Sequence, residues 1–189
     1  MSNNIDIINV DKAIDKRVSQ LIEHVCAKHN KVLPVRFDIR YPHDAYAPGD
    51  NKDITRMMAK FIQHYRRLKV DVDYIWVREQ KNSHNPHYHC AVFLDGNKTM
   101  NPKHVFSNAA KYWKSTINSN NEGLINNCTK SKNGTAHPNG IPLIRSKEYY
   151  HDSLARVERQ MQYLTKEADK APPKDGLRNF GMSRIPKER

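Results

Sequence analysis

His87-Tyr88-His89 lies inside an apolar run, residues 86–94, and carries two imidazoles at alternate positions. Side chains alternate across an extended strand, so both histidines share one face and can reach one metal ion, while Tyr88 points the other way. Two ordinary surface histidines would read the same, and His84 stands close by. The flanking residues narrow the choice. A cupin needs a glutamate shortly after the second histidine, where Phe93 and Leu94 stand, and a histidine-triad hydrolase needs a histidine at the position of Ala91. A third ligand would come from a neighbouring strand. Glu79 is the candidate, and it reaches the histidine face only if it pairs with residue 87 or 89 rather than with Tyr88. Asp38, His84 and Gln80 are the fallback ligands.

Tyr163 is the second residue with chemical promise. On a helix through residues 147–170, Tyr150, Leu154, Val157, Met161, Leu164 and Ala168 form one apolar stripe. Tyr163 falls opposite it, among Arg156, Arg159, Lys166 and Lys170. A phenol titrates near ~10 and attacks phosphorus poorly at neutral pH without cationic help. Lys166, one turn on, would stabilise the phenolate and the charge of the transition state, and Lys170 would hold a flanking phosphate. A solvated helix face with one amphipathic tyrosine explains the same spacing. Tyr149 is the rival nucleophile.

The elements that must position these groups are legible from periodicity. Residues 9–29 read as a helix, and residues 31–41 as a strand with Val35, Phe37, Ile39 and Tyr41 on one face and Arg36, Asp38 and Arg40 on the other. Asp53 caps a second helix whose stripe is Met57, Met58, Phe61, Ile62, Tyr65 and Leu68. Residues 70–80 and 86–94 form a hairpin. Asn101-Pro102 starts a third helix that buries Phe106, Ala110, Trp113 and Ile117. Two short strands, 124–126 and 141–144, precede the tyrosine helix. The expected fold is α+β: a central antiparallel sheet of about five strands with flanking helices on one side and a charged face open to substrate. The domains expected are an N-terminal helix, 1–30, packed on a core of 31–170, and a basic C-terminal tail, 171–189.

Composition narrows the partners. With 32 Lys and Arg against 20 Asp and Glu, the 189-residue chain carries a net charge of +12. Such an excess attracts polyanions, and nucleic acid leads. The longest apolar run, residues 90–94, falls far short of the ~20 residues of a spanning helix, so no membrane partner is expected. The first residues lack the basic and apolar regions of a signal peptide. Cys26, Cys90 and Cys128 are scattered, which argues against a disulfide framework or a cysteine zinc site and leaves the cytoplasm as the expected location.

These pieces together resemble a known family. Arg36-Phe37-Asp38-Ile39-Arg40 is similar to its first motif, Trp76-Val77-Arg78-Glu79 precedes the second, and His87-Tyr88-His89 is the second, the HUH signature. Tyr163-Leu164-Thr165-Lys166 with Lys170 resembles its tyrosine motif, with Thr165 where alanine is usual, and Phe180-Gly181-Met182-Ser183-Arg184 its closing segment. The family is the inovirus-type replication initiators, which include the prophage-encoded YagK/YfjJ-like proteins. The likeness spans about residues 30–185 and rests on the order and spacing of the motifs.

The resemblance implies a rolling-circle endonuclease of a phage or prophage, a ferredoxin- or palm-like endonuclease domain at work in the cytoplasm of a bacterial host. His87, His89 and Glu79 would hold a divalent cation, magnesium or manganese. Tyr163, helped by Lys166, would nick single-stranded or hairpin origin DNA through a 5′-phosphotyrosine intermediate. Arg36, Arg40, Arg156, Arg159 and Lys170 would contact the DNA, with Trp76 or Trp113 as stacking platforms. The chain shows no helicase or P-loop motif, so a host or phage helicase and polymerase would act with it. A non-catalytic nucleic-acid-binding domain is the competing reading from another class, and a transposase or relaxase the competing task for the same chemistry.

Overall fold

The computed structural model describes residues 11–80, 83–130, 134–165 and 176–186. The chain opens with α1 (Lys12–Lys28), started by Asp11, whose carboxylate accepts from the amides of Ala13 and Ile14 at 3.0 and 3.1 Å. There follow β1 (Lys31–Ile39), α2 (Lys52–Arg67), β2 (Val72–Glu79), β3 (His87–Asp95) and α3 (Pro102–Ile117). Then come β4 (Ile125–Asn126), β5 (Leu143–Ile144), α4 (Tyr150–Thr165) and β6 (Phe180–Met182). Asn101 caps α3 with Pro102 in its first turn, as expected. Asp53 does not cap α2. Asn51 occupies that position, and Asp53 lies buried in the first turn, bonded to Arg56 (2.6 Å) and to the Tyr41 hydroxyl (3.1 Å).

The sheet is antiparallel in the order β4-β1-β3-β2-β6, with β5 also on β1. The segment from β1 to β4 is a β-α-β-β-α-β unit in the ferredoxin-like order, β4-β1-β3-β2. The α+β architecture expected from the sequence is therefore present.

The layering is different. Odd residues of β1 and even residues of β2 and β3 pack on α2 and α3: Leu33, Val35, Phe37, Trp76, Tyr88, Cys90 and Val92 join Met57, Phe61, Val105 and Trp113. The opposite face is not open along its length. Val32, Ile75, Val77, Ala91 and Phe93 are buried there under α1 and α4, through Leu21, Ile22, Val25, Val157, Met161 and Leu164. Helices thus cover both faces, because this second face is apolar over half of each strand and that surface must be removed from water. Its other half carries Arg36, Asp38, Glu79, His87 and His89.

Trp113 is fully buried and donates its indole N–H to the carbonyl of Arg40 at 2.8 Å, and Trp76 is likewise a core residue. Neither is a stacking platform for DNA. Residues 180–182, expected in the basic tail, form β6 on the edge of β2.

Candidate active site

Strand pairing sets the geometry. Glu79 stands opposite His87, and Asp38 opposite His89. Glu79 therefore meets the condition for sharing the histidine face, and Asp38 joins from the other side. The Nδ1 of His89 lies 2.7 Å from Asp38, and its Nε2 contacts the Glu79 carboxylate directly. Burial works against charge on His89, but its bonds to Asp38 and then Glu79 outweigh that and raise it to about 9. Burial would likewise raise Asp38, yet the hydrogen bond and charge of His89, with Arg36, hold it at about 2. The bond from His89 lowers Glu79. Burial lowers His87, which favours a neutral, ligating imidazole.

Arg36 connects this cluster to the tyrosine. Its guanidinium bonds Asp38 at 3.0 Å and lies 4.6 Å from the centre of the Tyr163 ring. Only 11% of the Arg36 side chain is exposed, so it is enclosed in the cluster rather than open on the surface. Tyr163 is 44% exposed on the surface of α4, away from the buried stripe of Val157, Met161 and Leu164. Tyr149 is also exposed, but it precedes α4, and 14 residues of helix at ~1.5 Å each separate it from Tyr163 by about 21 Å. Tyr163 is the one beside the cluster.

Arg40, Arg156 and Arg159 are exposed; the Arg40 Nε donates to the Gly123 carbonyl at 3.2 Å. Lys166 and Lys170 lie outside the described residues. The fallback ligands separate: Asp38 is in the cluster, Gln80 accepts from Arg78 at 2.6 Å, and the ring of His84 packs edge-on to Tyr46.

Two residues at the site had no role in the sequence reading. Asn139 bridges the main chain of Arg36: its Oδ1 accepts from the Arg36 amide at 3.0 Å and its Nδ2 donates to the Arg36 carbonyl at 2.6 Å. It fixes the strand position from which the guanidinium projects; only its place in an Asn-Gly turn marked it beforehand. Cys128 stands beside Asp38, and its thiol donates to the Asn126 carbonyl at 3.6 Å. Burial pushes its thiol up to about 12, so it stays protonated and donates.

The donors suit a divalent cation by type and by face, since His87, His89 and Glu79 offer imidazole nitrogen and carboxylate oxygen from adjacent strands. Asp38 on Nδ1 is the partner that orients a ligating imidazole and leaves Nε2 for the ion. Among the described residues, no group of three His, Cys, Asp or Glu side chains already stands arranged around a metal position. The His89–Glu79 contact takes up the Nε2 lone pair or proton that a cation would replace.

An antiparallel α+β domain that sets a histidine–carboxylate cluster beside a helix-borne tyrosine is the class that fold and site define. The family model described as the YagK/YfjJ C-terminal domain matches residues 6–183, and the chain belongs to that family. No curated protein and no solved structure matched it. Among the described residues, no helix is long and apolar enough to cross a membrane.

Proposed function

We infer that this protein is a DNA-nicking and strand-joining endonuclease of the HUH, inovirus-initiator type, acting on single-stranded or hairpin DNA at a rolling-circle origin. The observation that carries this is the chain of contacts Tyr163–Arg36–Asp38–His89–Glu79, which joins a helix-borne nucleophile to the histidine face across three strands. A divalent cation held by His87, His89 and Glu79 would supply Lewis acidity at the scissile phosphate. Asp38 orients His89 for that task. Arg36 holds the Tyr163 ring at the rim of the cluster and brings positive charge toward the developing phosphoryl charge. The Tyr163 oxygen gives up its proton and attacks phosphorus, the bond to the 3′ oxygen breaks, and that oxygen takes up a proton to leave as the 3′-hydroxyl. The protein keeps the 5′ phosphate as a phosphotyrosine ester, so rejoining needs no nucleotide triphosphate. Arg40, Arg156 and Arg159, with Lys166 and Lys170, would bind the strand, and a host or phage helicase and polymerase would open and copy the duplex.

Incubation with a suicide oligonucleotide in magnesium or manganese should give a covalent adduct whose modified peptide contains Tyr163. Chelation with EDTA or Tyr163→Phe should abolish it, with melting temperature unchanged for the variant. An adduct on Tyr149, or undiminished adduct in EDTA, defeats the assignment. One feature favours a purely binding domain instead: both ring nitrogens of His89 are already satisfied by carboxylates, as in a structural ion-pair cluster. DNA binding without any adduct would establish that alternative.

A further inference from the structure

The loop that follows β1 presents an aromatic ring to solvent from a rigid base. Tyr46 is 82% exposed. Its neighbours are not loose. The buried side chain of Asn85 donates to the carbonyls of Pro42 (3.3 Å) and Ala45 (2.6 Å) and accepts from the amide of Ala47 at 3.0 Å. The ring of His84 backs Tyr46 edge-on, with centroids 5.6 Å apart. An exposed ring fixed on both sides along the chain is poorly explained by packing and well suited to stacking.

Beside it lies an open cavity of about 550 Å³, within the size range of small-ligand sites. Its lining includes Tyr41, Asp44, Tyr46, Arg56, Asn118 and Asn121. Arg56 is committed to Asp53 at 2.6 Å, so the wall has little positive charge to spare for a phosphate. Asp44 and the two asparagines instead offer acceptors and amides of the kind that read the edge of a base. The cavity lies at the sheet end where β1 finishes and β3 begins, the end that carries Glu79 and His87, but on the α2–α3 side. Asn85, just before His87, ties the loop to the strand that bears the histidines.

We propose that this cavity seats one unpaired base of single-stranded DNA, stacked on Tyr46 and read at its edge by Asp44, Asn118 and Asn121. Resting on the reading of the histidine face as a DNA-nicking centre, it makes the loop of residues 42–48 the clamp on a flanking nucleotide. The base turns round the rim of the sheet while the backbone stays with the cations of the other face. Duplex DNA, with its bases stacked, cannot enter.

The test is binding of a fluorescein-labelled mixed-sequence oligonucleotide by fluorescence anisotropy in EDTA, where no turnover intrudes. Tyr46→Ala should weaken binding roughly tenfold or more, while Tyr46→Phe and Tyr46→Trp retain it. With an oligonucleotide of abasic residues, wild type and Tyr46→Ala should bind alike. Equal affinities on the normal oligonucleotide overturn the proposal, as does a Tyr46→Ala loss that persists on the abasic one. Adduct formation is scored separately. An adduct with no Tyr46 dependence of binding removes the base site and keeps the nicking centre. Tyr46-dependent binding without an adduct does the reverse, and no single-strand binding at all removes both.

Discussion

An imidazole gripped at both nitrogens by carboxylates is stabilised as its cation, and His89 is gripped in this way by Asp38 and Glu79. In metal-free protein the stability from this arrangement follows from the direction of each shift. His89, raised from 6.5 to about 9, contributes fully below 6.5, and the contribution is lost as pH rises through about 9. Asp38, lowered from 3.8 to about 2, contributes above 3.8 and loses its share as pH falls through about 2. Arg36, Arg40 and His87, also at or near the cluster, leave the signs unchanged. Urea unfolding in EDTA should show wild type losing on the order of a few kcal/mol at most between neutral and alkaline pH. His89→Gln should lack that step. A wild-type profile that parallels the variant through pH 9 would show that the carboxylates do not hold the cation.

At the scale of elements, β6 shows what a short segment can hide. A Cβ added to Gly181 would stand 2.6 Å from the ring of Trp76, so the strand lies on β2 only because this position has no side chain. Gly181→Ala must move a buried indole or lift the strand, at roughly 1–3 kcal/mol, which for a domain of this size lowers Tm by about 2–4 °C per kcal/mol. An unchanged Tm would mean that Trp76 yields freely. The three residues of β6 carry too little alternation to be read as a strand, and a glycine at the centre points away from one. By contrast, α1 to α3, β1 and the β2–β3 hairpin were legible because each repeats its period several times. The Glu79–His87 register was narrowed to a condition, since alternation says which faces are possible but not which residue sits opposite. The second helical layer was not foreseen, because Arg36 and Asp38 made that face of β1 look solvated when Val32, on the same face, lies under α1 and α4. Asp38 was legible as a donor of the right type. The role of Arg36 was not, since its contact with Tyr163 joins residues far apart in the chain.

At the scale of the whole molecule, the +12 charge acts on any polyanion before shape does. Binding to single-stranded DNA should weaken linearly in log–log form with salt, with a slope of about −0.7 for each phosphate contacted. Arg156 and Arg159 are exposed on α4, the helix of Tyr163, so charge reversal of both should flatten the slope as well as lower affinity. An affinity insensitive to salt would show that the charge is not used for DNA. On the proposed nicking reading, a linear, fully paired duplex should resist cleavage, since its bases stay paired and stacked.

The outer edge of β1 has a further consequence. Alternate residues of an edge strand turn their backbone groups outward, and such a row is a template on which another chain can add a strand. Along β1 most outward groups are already taken. Val32 faces β5, Pro34 has no N–H to offer, Arg36 is bracketed by the Asn139 side chain, and Asp38 faces β4. A second chain therefore finds few free backbone groups along β1 on which to extend the sheet.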